Sequence, residues 1–188
     1  ERERKRGHAD WPGARLLRQT LAGLAESIQP MGEGTRLPRP EILRRMPAQV
    51  QGPDGPLQVH PQVVVRLGLA ATLLDTELHS DQESVRFYHQ QIQEYFAACA
   101  LLERFQAGEE VSERWRQPRL VKEMPDTGRL GDGEPLPPPP STGWEEPTVL
   151  AAGLAADPTS FVQAVQRINL ALAARCLHES GQPAFAAQ

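Results

Sequence analysis

The stretch "VRFYHQQIQEYFAACALL", from Val85 to Leu102, changes its hydrophobic period at His89. Before it, Val85 and Phe87 alternate with polar residues, the two-residue repeat of a half-buried strand. After it, Ile92, Tyr95, Phe96, Cys99 and Leu102 recur at helical spacing and form one stripe. A strand must therefore pass into a helix at this point, with an imidazole at the junction.

The residues upstream pair with that strand. In "LLDTELH", Leu74, Thr76 and Leu78 lie on one side and Asp75 and Glu77 on the other, and "SDQES" reads as a polar turn, so the two runs predict a hairpin. Three helices precede it. "ARLLRQTLAGLAESI" places Leu17, Leu21, Leu24 and Ile28 on one face and stops at "QPMGEG". "RPEILRRM" is a shorter helix with Pro40 in its first turn, and "HPQVVVRLGLAATLL" a third whose apolar content predicts burial of most of its circumference. Three helices, a two-stranded wing and a further helix are the element order of a winged-helix domain, expected over residues 15–106.

Past this unit the composition changes. Residues 107–143 are rich in Gly, Pro and charge and include "LPPPP", a stiff polyproline segment. This is read as a connector, a spacer rather than a docking peptide. Helical patterns return over 144–188. "GWEEPTVLAAGLA" is one; "DPTSFVQAVQRI" follows with Asp157 as N-cap and Pro158 at the first helical position. "NLALAARCLHES" opens on Asn169, carries Leu170, Ala173, Ala174 and Leu177 on one face, and is closed by Gly181. Short Ala-rich helices with short loops stack as an α-solenoid does, so the fold class is mainly α: a winged helix, a linker and solenoid-like helices. The face around Leu172, Cys176 and Phe185 is expected to stay open and to drive self-association.

Composition limits the function. The 188 residues are 39% hydrophobic and 23% charged with a formal net charge of −4, which suits an ordinary globular chain of one or two domains and not a basic nucleic-acid module. The longest apolar run, "VVVRLGLAATLL", is interrupted and too short for a membrane span. "ERERKRGHADWP" is neither a signal peptide nor a natural start, so residues 1–14 read as the tail of a preceding helical domain in a longer protein. Cys99 and Cys176 sit in separate helical patterns and form no disulfide or zinc framework, which fits a reducing cytoplasm.

Enzymatic chemistry finds no support. No Gly-x-x-x-x-Gly-Lys-Ser/Thr run occurs, and "GRLGDGEP" lacks the lysine and the following helix. His8, His60, His79, His89 and His178 have no metal-ligand spacing, and no nucleophile–base arrangement is evident. A winged-helix DNA-binding regulator is the alternative. Its reading helix would project cations, whereas the third helix offers Arg66, and the "ERERKR" cations are interleaved with glutamates.

"RFYHQQIQEYFAACALL" resembles the Phe-x-His-x-x-x-Gln-Glu-Tyr-Phe-Ala-Ala signature that closes the winged-helix domain of NACHT-type signal-transduction NTPases, the group of NOD-like receptors and their bacterial relatives. "TGWEEPTVLAAGLAADPTSF" and "NLALAARCL" look like the start of the HEAT-like repeats of bacterial members. The resemblance implies that His89 contacts the β-phosphate of ADP in an inactive state, folded against a nucleotide-binding domain of the same chain. An imidazole donor gains strength beside a polyanion, and an interaction made only in the closed state supplies the differential affinity of a switch. Phe87, Tyr95 and Phe96 would be core packing at the junction; Gln93 and Glu94 carry no assigned chemistry. The parent protein would bind ADP or ATP with magnesium, answer an unidentified trigger in defence or stress response, and form a homo-oligomer. This segment would hold no cofactor itself.

Overall fold

The computed structural model of the chain describes residues 13–32, 34–79, 82–116 and 141–181. Among them lie seven α-helices and two small antiparallel sheets, so the architecture is mainly helical. The elements run α1 (Ala14–Ile28), a 3-10 turn (Gln29–Met31), β1 (Leu37–Pro38), α2 (Arg39–Arg45), β2 (Gln49–Gly52), β3 (Gly55–Gln58), α3 (Pro61–Ala70), β4 (Leu74–His79), β5 (Gln82–Phe87) and α4 (Gln90–Gln106). A second 3-10 turn (Ser112–Trp115) is followed by α5 (Glu145–Leu154), α6 (Thr159–Gln166) and α7 (Leu170–Ser180). No helix among the described residues is long and apolar enough to cross a membrane.

The stripe of α1 is buried as its spacing predicts, with Leu21, Leu24 and Ile28 wholly enclosed and Leu17 nearly so. It packs along α4, whose Ala97, Ala98 and Leu101 are also enclosed. The small alanines permit α4 to take a second neighbour, and α5 packs on it as closely as α1 does. That makes α4 the central helix. Truncating one of these fully buried leucines would cost about 2–5 kcal/mol.

The hairpin forms with register Leu74↔Phe87, Thr76↔Val85 and His79↔Gln82. Leu74, Val85 and Phe87 face the core, whereas Leu78, on the same side of the pleat as Leu74, runs past the edge of the core and is 71% exposed. The expected turn "SDQES" is shorter than its polar composition implied: Gln82, Glu83 and Ser84 belong to β5. The sheet has a third strand, β1, paired with β5 through Leu37↔Val85 and Pro38↔Ser84, in the order β1-β5-β4. Pro38 is tolerated because β1 is an edge strand.

Several expectations are corrected. The third helix ends at Ala70, and Leu73 and Leu74 have left it. Thr72 takes the left-handed conformation with φ 57°, and the Leu73 N–H donates to the Gly68 carbonyl at 2.8 Å, turning the chain sharply into β4. The hairpin β2–β3, between α2 and α3, had no counterpart in the sequence pattern; its turn places Gly55 at φ 129°. On α7 the buried residues are Leu172, Ala173 and Cys176, while Leu170 is 69% exposed and Ala174 is on the surface. The face expected to stay open is therefore the one that α7 lays on α5, where the Cys176 thiol reaches the Thr148 carbonyl at 3.7 Å. Phe185, the "LPPPP" run and residues 1–12 lie outside the described residues.

The helix starts in this last part follow the predicted chemistry. The Asn169 side chain accepts from the Leu172 N–H at 3.0 Å, and Gly181 closes α7 at φ 62°. The Asp157 carboxylate accepts from the Thr159 N–H at 2.9 Å, although the helix begins one residue later than expected, with Pro158 itself at the cap. The two described ends of the expected linker are packed: Val111 and Trp115 are buried at one, and at the other the Gly143 carbonyl accepts from Gln29, with Trp144 buried just beyond it. Trp115 meets Phe105 of α4 and Phe161 of α6 at ring separations of 6.3 and 5.5 Å.

Candidate functional site

The junction that carries His89 is two residues long. Phe87 ends β5 with its ring buried, and 5.9 Å away lies the ring of Phe96, one and a half turns into α4. The Tyr88 N–H donates to the Leu73 carbonyl at 3.0 Å, which ties the junction to the start of β4. His89 then takes an extended backbone, φ −133° and ψ 150°, and its carbonyl accepts from the Ile92 N–H at 3.0 Å and the Gln93 N–H at 3.3 Å. The main chain of His89 thus opens the helix. Its side chain makes no capping hydrogen bond and lies exposed, edge-on to the Tyr88 ring at 4.5 Å.

A loop from the end of α1 borders the same place. The Gly34 N–H donates to the Gln90 side-chain oxygen at 2.9 Å, and Gln90 donates in turn to Glu94 at 3.0 Å. Gly34 stands at φ 63°, and the Thr35 hydroxyl donates to the Gly32 carbonyl at 2.7 Å, folding the loop on itself. Met31 and Tyr88 are half exposed nearby in the chain. An exposed imidazole at the start of a seventeen-residue helix suits an anion: the ring nitrogen donates, and the aligned peptide dipoles place partial positive charge at that end.

Of the three aromatic residues expected to pack the junction, Phe87 and Phe96 do so. Tyr95 is the exception, 39% exposed and beside Cys99, because the stripe drawn through it lies at the edge of the buried arc of α4. The true centre of that arc contains Gln93, 1% exposed, to which the sequence pattern assigned no role. Its Nε2 donates to Oε1 of Gln29 at 2.9 Å, and Nε2 of Gln29, itself 3% exposed, donates to the Gly143 carbonyl at 2.6 Å. One signal was present. Gln93 precedes Phe96, Ala97 and Ala100 by three, four and seven positions, so an amide stands on an otherwise apolar face.

A charged cluster joins the last turn of α1 to the last turn of α4. Glu26 of α1, its side chain 14% exposed, accepts from Nε of Arg104 at 2.6 Å and also pairs with Arg114. The Arg114 guanidinium lies 4.8 Å from the centre of the Trp144 ring, just before α5. Among the described residues no group of three His, Cys, Asp or Glu side chains could hold a metal ion. Set against protein-family models, curated proteins and solved structures, the chain shows no significant match.

Proposed function

We propose that this chain is a regulatory segment of a NACHT-type signal-transduction NTPase, in which His89 touches the β-phosphate of ADP in the inactive state and the helices from α5 onward belong to a sensor region. The order of α1, β1, α2, α3, β4 and β5, with the hairpin β2–β3 between α2 and α3, supports a winged-helix reading. The observation that carries it is the state of His89. The fold uses its backbone to start α4 and buries Phe87 and Phe96 beneath it, yet leaves the imidazole exposed and without a capping role. A side chain that stability does not require can serve binding. The nucleotide-binding domain of the same chain is the partner on this reading, and ADP or ATP with magnesium its ligand.

The DNA-binding alternative has less to stand on. The exposed positions of α3 are Gln62, Arg66 and Ala70, and the wing carries Asp75, Glu77 and Glu83, paired with Arg86, Arg36 and Arg39. A surface whose cations are so closely matched by carboxylates does not attract a phosphate backbone, and duplex DNA titrated at low salt should show no steep salt slope.

The test is ADP release from the full-length protein. His89→Ala should speed it by about ten- to a hundredfold, the effect of removing one charge-assisted hydrogen bond, with thermal stability shifted by no more than about 0.5 kcal/mol. An unchanged release rate in a normally folded variant would rule the reading out. The 188 residues alone should bind ADP no tighter than about millimolar, since one such hydrogen bond falls short of the free energy even that affinity needs.

A further inference from the structure

Three helix ends meet behind the His89 turn: the C-terminus of α1, the first turn of α4 and the start of α5. The bond chain from Gln93 through Gln29 to Gly143 joins all three. Gln93 is held to the turn by its own N–H, which donates to the His89 carbonyl, and to α1 by its side chain. At the far end Gly143 is pressed against the same residue, since a Cβ there would come within 3.3 Å of the Gln29 carbonyl oxygen. Gly143 is also left-handed, φ 79°, so a side chain there would be strained by the backbone and would have to displace the Gln29 carbonyl by a few tenths of an ångström. The neighbouring Thr142 hydroxyl donates to the Arg114 carbonyl and, with Ser141, to the Glu145 carboxylate, so the stretch that receives the Gln29 bond is the cap of α5.

We propose that Gln29 and Gln93 form a latch that couples the turn carrying His89 to the seating of α5. Both amides are enclosed, and a buried amide separated from its partner finds no water to replace it, which makes the chain of bonds cooperative. Gln29 is the hub: its oxygen serves α4 and its nitrogen serves α5. Moving the His89 turn draws Gln93 away from Gln29, and an amide deprived of one anchor holds the Gly143 carbonyl less firmly. Unseating α5 loosens the His89 turn by the same linkage, because a coupling free energy is reciprocal. The purpose of the latch, passing the state of a nucleotide contact to the sensor helices, rests on the reading of His89 given above. The coupling itself does not.

Hydrogen exchange on the full-length protein tests it. Gln29→Met keeps the volume and removes both bonds, and should speed exchange by about tenfold at the amides of Gln93 and Glu94 and at those of Thr148–Ala152, with Leu21–Ala25 unchanged. Gln93→Met, whose side-chain bond ends at Gln29, should speed the α5 amides as well, by severalfold; Gln93→Asn, an amide one methylene short, should do the same. A response confined to α4 in both Gln93 variants, or one equal factor across all elements, would overturn the latch. If Gln29→Met fails to fold, the two Gln93 variants carry the test. Failure of the two readings is separable: ADP release unmoved by His89→Ala sinks the sensor alone, and α5 amides unmoved by Gln93→Met sink the latch alone.

Discussion

Arg104 donates from Nε to the Glu26 carboxylate at 2.6 Å and so binds the last turn of α4 to the last turn of α1. Glu26 is mostly enclosed and shared with Arg114, whose guanidinium burial pushes below its ordinary value. A charge pair in such a place is weak evidence of net stabilisation, but breaking it strands the remaining charges.

Glu26→Gln should therefore lower stability by about 1–3 kcal/mol in urea denaturation, less than for a fully enclosed pair because Arg104 keeps 44% of its side-chain surface in water. The pair of Arg18 and Glu103, 3.7 Å apart and about half exposed, is the internal control: Arg18→Ala should change stability by about 0.5 kcal/mol or less. Equal shifts in the two variants would mean that burial of Glu26 is not what gives the cluster its weight.

The cap of α5 should make stability sensitive to acid. Burial pushes the Glu145 carboxyl up, but hydrogen bonds from the Thr142 N–H, the Ser141 hydroxyl, its own N–H and the Thr142 hydroxyl outweigh it and hold the group below its ordinary value of 4.5. A depressed folded value stabilises above the unfolded one, so the contribution is complete above about pH 4.5 and is lost as pH falls through the folded value. Glu145→Gln should flatten the decline of the urea midpoint between about pH 5 and 3. Parallel curves for the two proteins would show that the hydrogen bonds to Glu145 contribute nothing to folding.

The two cysteines should be inert in the native protein. Burial pushes the Cys176 thiol up to about 12 and raises Cys99 as well, so neither supplies thiolate at pH 8. A disulfide reagent at pH 8 should label both residues after denaturation in urea and neither before it. Because the folded value is raised, the contribution of Cys176 is complete below its ordinary value of 9 and is lost as pH rises towards 12. Cys176→Ala should remove that alkaline decline. Rapid native labelling at Cys176 would contradict the seating of α7 on α5.

Periodicity makes much of the architecture legible without reference to tertiary contacts. The four-three-four spacing of Leu17, Leu21, Leu24 and Ile28 and the alternation around Leu74 and Val85 report how each segment meets an apolar neighbour, and that is a local property of the chain. The same holds for the Asn169 cap and for Gly181 in the left-handed region, where short-range backbone chemistry decides the outcome. The position of His89 between strand and helix follows from the change of period alone. Its exposure does not.

What lies around those elements depended on which of them came to rest against which. The β2–β3 hairpin has no sequence signal because "QVQGPDGPLQ" buries almost nothing and so carries no apolar alternation. The face of α7 was displaced to Leu172 and Cys176 because α5 approaches it from that side, a direction its own pattern of alanines and leucines leaves open. Tyr95 turned outward for the same reason, α1 and α5 between them claiming the arc of α4 centred on Gln93 and Ala97. Gln29 and Gln93 are the clearest case. A glutamine is ordinarily solvated, and only another buried amide and a carbonyl brought in from residues 64 and 114 positions away can offset its burial, so no local signal could announce the pair.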